Sequence, residues 1–170
     1  MNFNYYNGIS GIYFNSVISN VIKIGNLDNT KKIILDFGCG SKVLNKKLTK
    51  STVLNYDIDP NWTDHNDYRN LSFDIVVFNH ILMYMDKKEI ISTFENIKKI
   101  NKNCEFIIGI GKGGLINKLA AFASLNFSAH TGTLSTQQEQ IKILTEYTKI
   151  LKVKKNIFFL TDIFYTKFNI

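Results

Sequence analysis

Proline is almost missing from this chain of 170 residues, which has only Pro60, and cysteine is nearly as scarce, with two. Cys39 and Cys104 are far apart and have no paired spacing, which excludes a disulfide framework and a cysteine-built zinc module. Two lone thiols fit a reducing, cytoplasmic setting, and no metal site is suggested. Arginine is rarer still. Arg69 stands alone among 21 basic residues, which argues against bidentate reading of guanine or phosphate. No basic segment precedes an apolar run at the amino terminus, so no signal peptide is expected. No stretch approaches the ~18 uninterrupted apolar residues of a membrane span, so integral membrane association is not expected either.

What is present is ordinary for a globular domain: 45% apolar and 21% charged residues. The length suits a single domain with one full core. The formal net charge of +7 could serve nucleic acid or an anionic membrane surface. The lysines are spread along the chain, however, as on solvated helix faces. Nucleic acid is therefore not the expected partner.

Apolar spacing predicts an amphipathic helix over residues 9 to 24, within an amino-terminal segment 1–30. Short buried-type strands follow at Lys32 to Asp36, Thr52 to Asp57 and Phe73 to Asn79, and another at Phe106 to Ile110. Ser41 stands where a helix cap belongs. Asp86 with Glu89, and Thr136 with Glu139, have capping-box spacing. The second box opens a helix carrying Ile141, Leu144, Tyr147 and Leu151. Leu115 to Ala123 reads as a short apolar helix. Two closing strands, Val153 to Leu160 and Ile163 to Asn169, are separated by "TD" and predict a hairpin. Alternation of strand and helix implies an α/β, Rossmann-like, doubly wound, mostly parallel sheet with helices on both faces. The segments divide as a core at 31–110, a lid or acceptor region at 111–136, and a last helix with hairpin at 137–170.

Ligands of such sheets sit beyond the carboxyl ends of the strands, and three of those ends carry informative residues. "LDFGCGSK" places Asp36, Gly38, Cys39 and Gly40 in a tight turn whose glycines let backbone approach a ligand. "NYDIDP" places Asp57, followed by Ile58, about twenty residues on, the spacing of an acid that accepts ribose hydroxyls. "FDIVVFNHILMYMD" ends a hydrophobic strand at Asn79 and His80. A nicotinamide dehydrogenase would need glycine or alanine where Val43 stands.

With these three motifs in order, the chain resembles the class I S-adenosylmethionine-dependent methyltransferases, and specifically the branch that modifies small molecules. The resemblance spans residues 32 to about 110. It implies that S-adenosyl-L-methionine is the cofactor, with Asp36, Gly38 and Gly40 at its methionine part, Asp57 at its ribose hydroxyls, and Cys39 and Ile58 among the residues that bind it. It further implies Asp67 at the adenine amino group, Tyr68 beside the ring, and Asn79 by the methionine end. The family's frequent third glycine is Lys42 here. The stretch from Pro60 to Phe73 is short for a helix plus the usual third strand, so that edge is expected to be trimmed.

No Asn/Asp-Pro-Pro-aromatic motif follows the Asn79 strand, as base-amine and glutamine methylation would need. Tyr5, Tyr6 and Tyr13, with the region from Gly111 to Thr136, would supply a partly hydrophobic pocket for a small-molecule acceptor. A hydroxyl acceptor would benefit from a general base, and His130 and His80 are the candidates. An RNA-directed methyltransferase and a catalytically inactive, methyltransferase-like scaffold are the alternatives.

Overall fold

A computed structural model describes residues 8–112, 133–156 and 159–169. Six strands form one sheet in the order β2-β1-β3-β4-β6-β5. β1 (Ile34–Phe37), β2 (Val53–Tyr56), β3 (Ile75–Asn79) and β4 (Glu105–Gly111) run parallel. β5 (Thr148–Lys155) and β6 (Thr161–Phe168) return antiparallel, as the expected hairpin.

The sheet is covered on both faces, which is why its inner strands read as unbroken apolar runs. Ile34, Ile75, Val77, Ile107 and Ile163 face α1 (Gly8–Gly25) and α2 (Val43–Lys47), where they bury Val17, Val21, Leu44 and Leu48. Leu35, Val76, Phe78, Phe106 and Ile108 face α3 (Lys87–Ile100) and α4 (Gln137–Tyr147). On that side Phe94 rests 5.1 Å from the Phe106 ring, and Phe168 closes edge-on at 4.8 Å. Both predicted capping boxes form. Asp86 and Glu89 exchange hydrogen bonds of 2.8 and 2.7 Å, and Thr136 and Glu139 exchange bonds of 3.2 and 2.8 Å.

Three expectations are corrected. Ser41 does not cap a helix. The backbone turns left-handed at Lys42 (φ 57°), so α2 starts one residue later, without a side-chain cap, and runs for five residues. Leu151 is not helical. α4 stops at Tyr147, the Thr148 hydroxyl binds the Leu144 carbonyl at 2.7 Å, and β5 begins at once. The β-branched residues of "TKILKVKK" pair with β6, and that pairing overrides the helical spacing. "TD" lies inside β6, while the turn closes through Asn156 N–H to the Thr161 carbonyl at 2.9 Å.

The trimmed edge is present. Between β2 and β3 the described residues form no strand, and β2 is the sheet's outer strand. In place of a neighbour, Asp64 N–H donates to the Asn55 carbonyl at 3.0 Å, and the Asn55 side chain donates to the Asp64 carboxylate at 2.7 Å. A 3₁₀ turn, Tyr68–Asn70, then leads back towards β3. Of the expected lid, residues 113–132, including the apolar helix at Leu115 to Ala123, lie outside the described residues. Its far end is fixed: Leu134 N–H binds the Met83 carbonyl at 2.8 Å, and the Ser135 hydroxyl binds that of Leu82 at 2.8 Å.

Loss of the α3 cap provides a test. Asp86→Ala leaves the first-turn N–H of Glu89 without its carboxylate and is expected to cost about 1 kcal/mol in urea denaturation. No loss would show that the box adds nothing to α3.

Candidate functional site

The carboxyl ends of β1, β2 and β3 meet at one edge of the sheet, because their residues are paired in register up to Phe37, Tyr56 and Phe78. The loop after β1 is fastened there. Gly38 N–H and Cys39 N–H both donate to the Tyr56 carbonyl, at 2.8 and 3.1 Å. Gly40 N–H donates to one oxygen of Asp57 at 2.9 Å, and Asp59 N–H to the other at 3.0 Å. Gly38 and Gly40 are both left-handed, with φ of 77° and 45°. They differ in surroundings. A β-carbon on Gly38 would lie 2.6 Å from the Ile81 side chain, whereas one on Gly40 would meet nothing within 4 Å. Gly38 is needed to seat Ile81, and Gly40 borders open space at the mouth of the crevice.

Asp36 is buried at the end of β1, and no group among the described residues donates a hydrogen bond to its carboxyl. Burial, then the neighbouring Asp57 carboxylate, pushes its pKa up to about 7. The same surroundings act on Cys39. Burial first, then Asp36 and Asp57, push its thiol up to about 12, and its Sγ points to the Trp62 carbonyl at 3.4 Å. Burial also raises Cys104. Neither thiol is fit to act as a nucleophile at neutral pH.

β3 delivers Asn79 and His80 to the same end. The Asn79 Oδ1 is buried with no hydrogen-bond partner and lies over Gly109, where a β-carbon would come within 2.9 Å of it. His80 is left-handed at φ 60°, an unusual conformation for a residue with a side chain. Its N–H donates to the Gly109 carbonyl at 3.1 Å, and its Nε2 lies 3.1 Å from the Thr161 hydroxyl. Thr161 in turn meets the Tyr13 hydroxyl of α1 at 2.5 Å. The Tyr13 and Phe14 rings flank the imidazole edge-on, at 6.2 and 6.3 Å. Gly111 leaves room for the imidazole, which would lie 3.3 Å from a β-carbon there.

The remaining candidates divide. Ile58, after Asp57, is 92% exposed and offers an apolar side chain to anything lying on the crevice. Asp67 is not directed at it: both carboxylate oxygens bind Arg69 Nε, at 2.8 and 3.0 Å, and one also caps the 3₁₀ turn. Tyr68 is a core residue, 7% exposed, with its ring 5.1 Å from Phe37 and 5.2 Å from Tyr56. Tyr68 thus fills apolar space beside β2, the outer strand of the sheet. A polar depression of about 210 Å³ lined by Tyr56, Asn66, Asp67, Tyr68, Arg69 and Asn96 opens there, and no residue of the glycine loop lines it. His130, Tyr5 and Tyr6 lie outside the described residues.

Two contacts at the crevice escape sequence reasoning. Thr161 reads as a turn residue, and only the antiparallel return of β6 brings it to His80. Lys42 reads as a missing glycine. In the structure its backbone is left-handed, and it pairs its ammonium with Asp64, which also holds Asn55.

No family model matches the chain, and no curated protein matches it by sequence. Solved structures do match. The PH0226 protein of Pyrococcus horikoshii superposes with a TM-score of 0.72 at 14% identity, over 99% of this chain and 97% of that one. The N-methyltransferase NodS of Bradyrhizobium japonicum, in complex with S-adenosylhomocysteine, gives 0.65 at 12% identity, over 93% and 88%. Magnesium protoporphyrin IX methyltransferase of Synechocystis, also with S-adenosylhomocysteine bound, gives 0.60 at 17% identity, over 90% and 80%. The fold is that of the class I methyltransferases.

Asp36 makes stability depend on pH. The folded chain holds that proton up to about 7, the unfolded chain only to about 3.8, so stability falls as pH rises across that window. Asp36→Asn is expected to be more stable than the parent above the window, with the gap closing below it, in denaturation series at several pH values. An equal gap at all pH values would contradict a buried, titrating Asp36. Gly38→Ala is expected to lose roughly 1–3 kcal/mol from left-handed strain and the Ile81 clash together. Ile81→Ala should restore the part due to the clash.

Proposed function

We propose that this protein binds S-adenosyl-L-methionine in the crevice at the ends of β1, β2 and β3 and transfers its methyl group to a small, partly hydrophobic metabolite. The observation that carries the reading is the pair Asp36 and Asp57: two carboxylates at neighbouring strand ends, beside a glycine loop open at Gly40, with no cation bound to either among the described residues. A ligand that is cationic at one end and carries ribose hydroxyls at the other satisfies both. The buried, partnerless Asn79 Oδ1 offers an acceptor to an ammonium group, and the exposed Ile58 offers an apolar surface to a base. These residues, with Gly38, Cys39 and Gly40 as backbone, would hold the cofactor. Asp67 and Tyr68 would then bear on the base only through the 3₁₀ turn that they build.

The bound cofactor supplies an already activated methyl group, so the protein's work is alignment and exclusion of water. His80 is the described group best placed to take a proton from an acceptor hydroxyl. Its ring is pinned by Thr161, whose hydroxyl also holds Tyr13 of the covering helix. Burial raises Tyr13 above its ordinary range, so it keeps its own proton at neutral pH. His130 remains the second candidate base. A catalytically silent binding protein is the other reading, favoured by Lys42 and the missing edge strand.

Calorimetric titration decides between them. S-adenosylmethionine and S-adenosylhomocysteine are expected to bind at micromolar concentration, NADH not at all, and Asp57→Ala should abolish binding of both sulfur compounds. Binding is also expected to tighten as pH rises through about 7, because an ionised Asp36 attracts the ligand's cation. Absence of binding by either compound would overturn the enzyme reading. Where binding holds, His80→Gln should leave affinity unchanged and lower turnover by roughly 10²–10⁴ in an acceptor screen read by S-adenosylhomocysteine release.

A further inference from the structure

The outer edge of the sheet has a charged face that the crevice does not use. Lys149 stands opposite Lys167, and Ile150 opposite Thr166. The register then shifts, so that Lys152 is opposite Tyr165 and Lys154 opposite Ile163. Leu151 is the extra residue of a β-bulge. Under plain alternation Lys149 and Lys152 would point to opposite faces; the bulge puts Lys149, Lys152 and Lys154 on one face with Lys167. It is the face on which Ile163 and Tyr165 pack towards α1. Lys149, Lys152 and Lys167 are exposed, and Lys152 lies 5.8 Å over the Tyr165 ring.

One acid borders them: Glu105 of β4 stands opposite Lys167. Among the described residues of β4, β5 and β6 on this face the one carboxylate is Glu105, already held by Lys32 at 2.6 Å and the Tyr165 hydroxyl at 2.5 Å. α1 contains no acidic residue. Lysines commonly keep an edge strand from pairing with another sheet. That does not explain Lys149, set directly opposite Lys167, since like charges in that register destabilise a sheet. Apolar side chains rim the charged face. Leu151 is 41% exposed, Phe159 at the hairpin turn 63%, and Ile12 of α1 61%. Ile12 lies one helical turn from Ser16, which accepts from Asn156 at the end of β5.

We propose that this face docks on an anionic lipid bilayer. The four lysines meet lipid headgroups, while Leu151, Phe159 and Ile12 reach the acyl boundary. The apolar rim is what favours lipid over nucleic acid, and the chain's single arginine sits at the opposite edge of the sheet, beside Tyr56. Docking brings the end of α1 that carries Tyr13 close to the membrane, so an acceptor could enter from lipid. The proposal stands independently of which cofactor the crevice holds.

Co-sedimentation of the full chain with vesicles tests it. Phosphatidylcholine vesicles doped with phosphatidylserine should bind the protein, pure phosphatidylcholine vesicles much less, and high salt should release most of it. Changing Lys149, Lys152, Lys154 and Lys167 to Gln should lower partitioning roughly fivefold per lysine. The same charge change at the exposed Lys50, Lys87, Lys88 and Lys99 should have little effect. The double change Lys149→Gln with Lys152→Gln guards against a folding artefact, since it relieves the Lys149–Lys167 opposition and should leave thermal stability undiminished while weakening vesicle binding. Binding indifferent to phosphatidylserine, or lost equally in both quadruple variants, would overturn the proposal. So would an edge that binds single-stranded RNA and ignores vesicles.

Discussion

Asp36 and Asp57 impose the constraint on which the end of the sheet depends. Parallel pairing of β1 and β2 brings two carboxylates together at neighbouring strand ends, one buried and one engaged by the glycine loop. Like charges at close range in a poorly solvated crevice cannot both ionise freely. Among the described residues none pairs a cation with either carboxylate. Lys42 is the lysine of the loop, and its ammonium is turned away to Asp64. The unrelieved charge is tolerated because the rest of the domain is well packed, with apolar layers on both faces of the sheet. A local cost kept inside a stable scaffold is characteristic of binding sites.

The trimmed edge belongs to the same design. With no strand outside β2 among the described residues, the Asn55–Asp64–Lys42 chain of contacts closes that side and holds the loop. The lysine that replaces a glycine thus anchors through its side chain what its left-handed backbone makes harder to form. On the other side Tyr68 occupies apolar space next to Tyr56 and Phe37.

Much of this was legible in the sequence, because it rests on local signals. Period-two and continuous apolar runs located the strands, and both capping boxes formed as read. Glycines at 38 and 40 identified the loop, and the spacing to Asp57 identified its partner. What failed was set by long-range pairing. β5 begins at Thr148 because β6 lies beside it, against the helical spacing that includes Leu151. The packing of Tyr68 on Phe37 and Tyr56 is likewise set by β1 and β2 and not by its neighbours in the chain. The link from Tyr13 through Thr161 to His80 joins residues up to 148 positions apart, and no local pattern announces it. The lysine face was hidden for a similar reason, since one bulged residue changes which side chains are neighbours.

The central claim is that the crevice is an anionic cradle built for a cationic ligand. Carbon-13 NMR of the Asp36 carboxyl, titrated against pH with and without S-adenosylhomocysteine, tests it most directly. The account predicts a midpoint near 7 in the ligand-free chain, moving down when the ligand's ammonium group enters. A carboxyl that titrates in the ordinary aspartate range, or a raised midpoint that saturating ligand leaves unmoved, would contradict it.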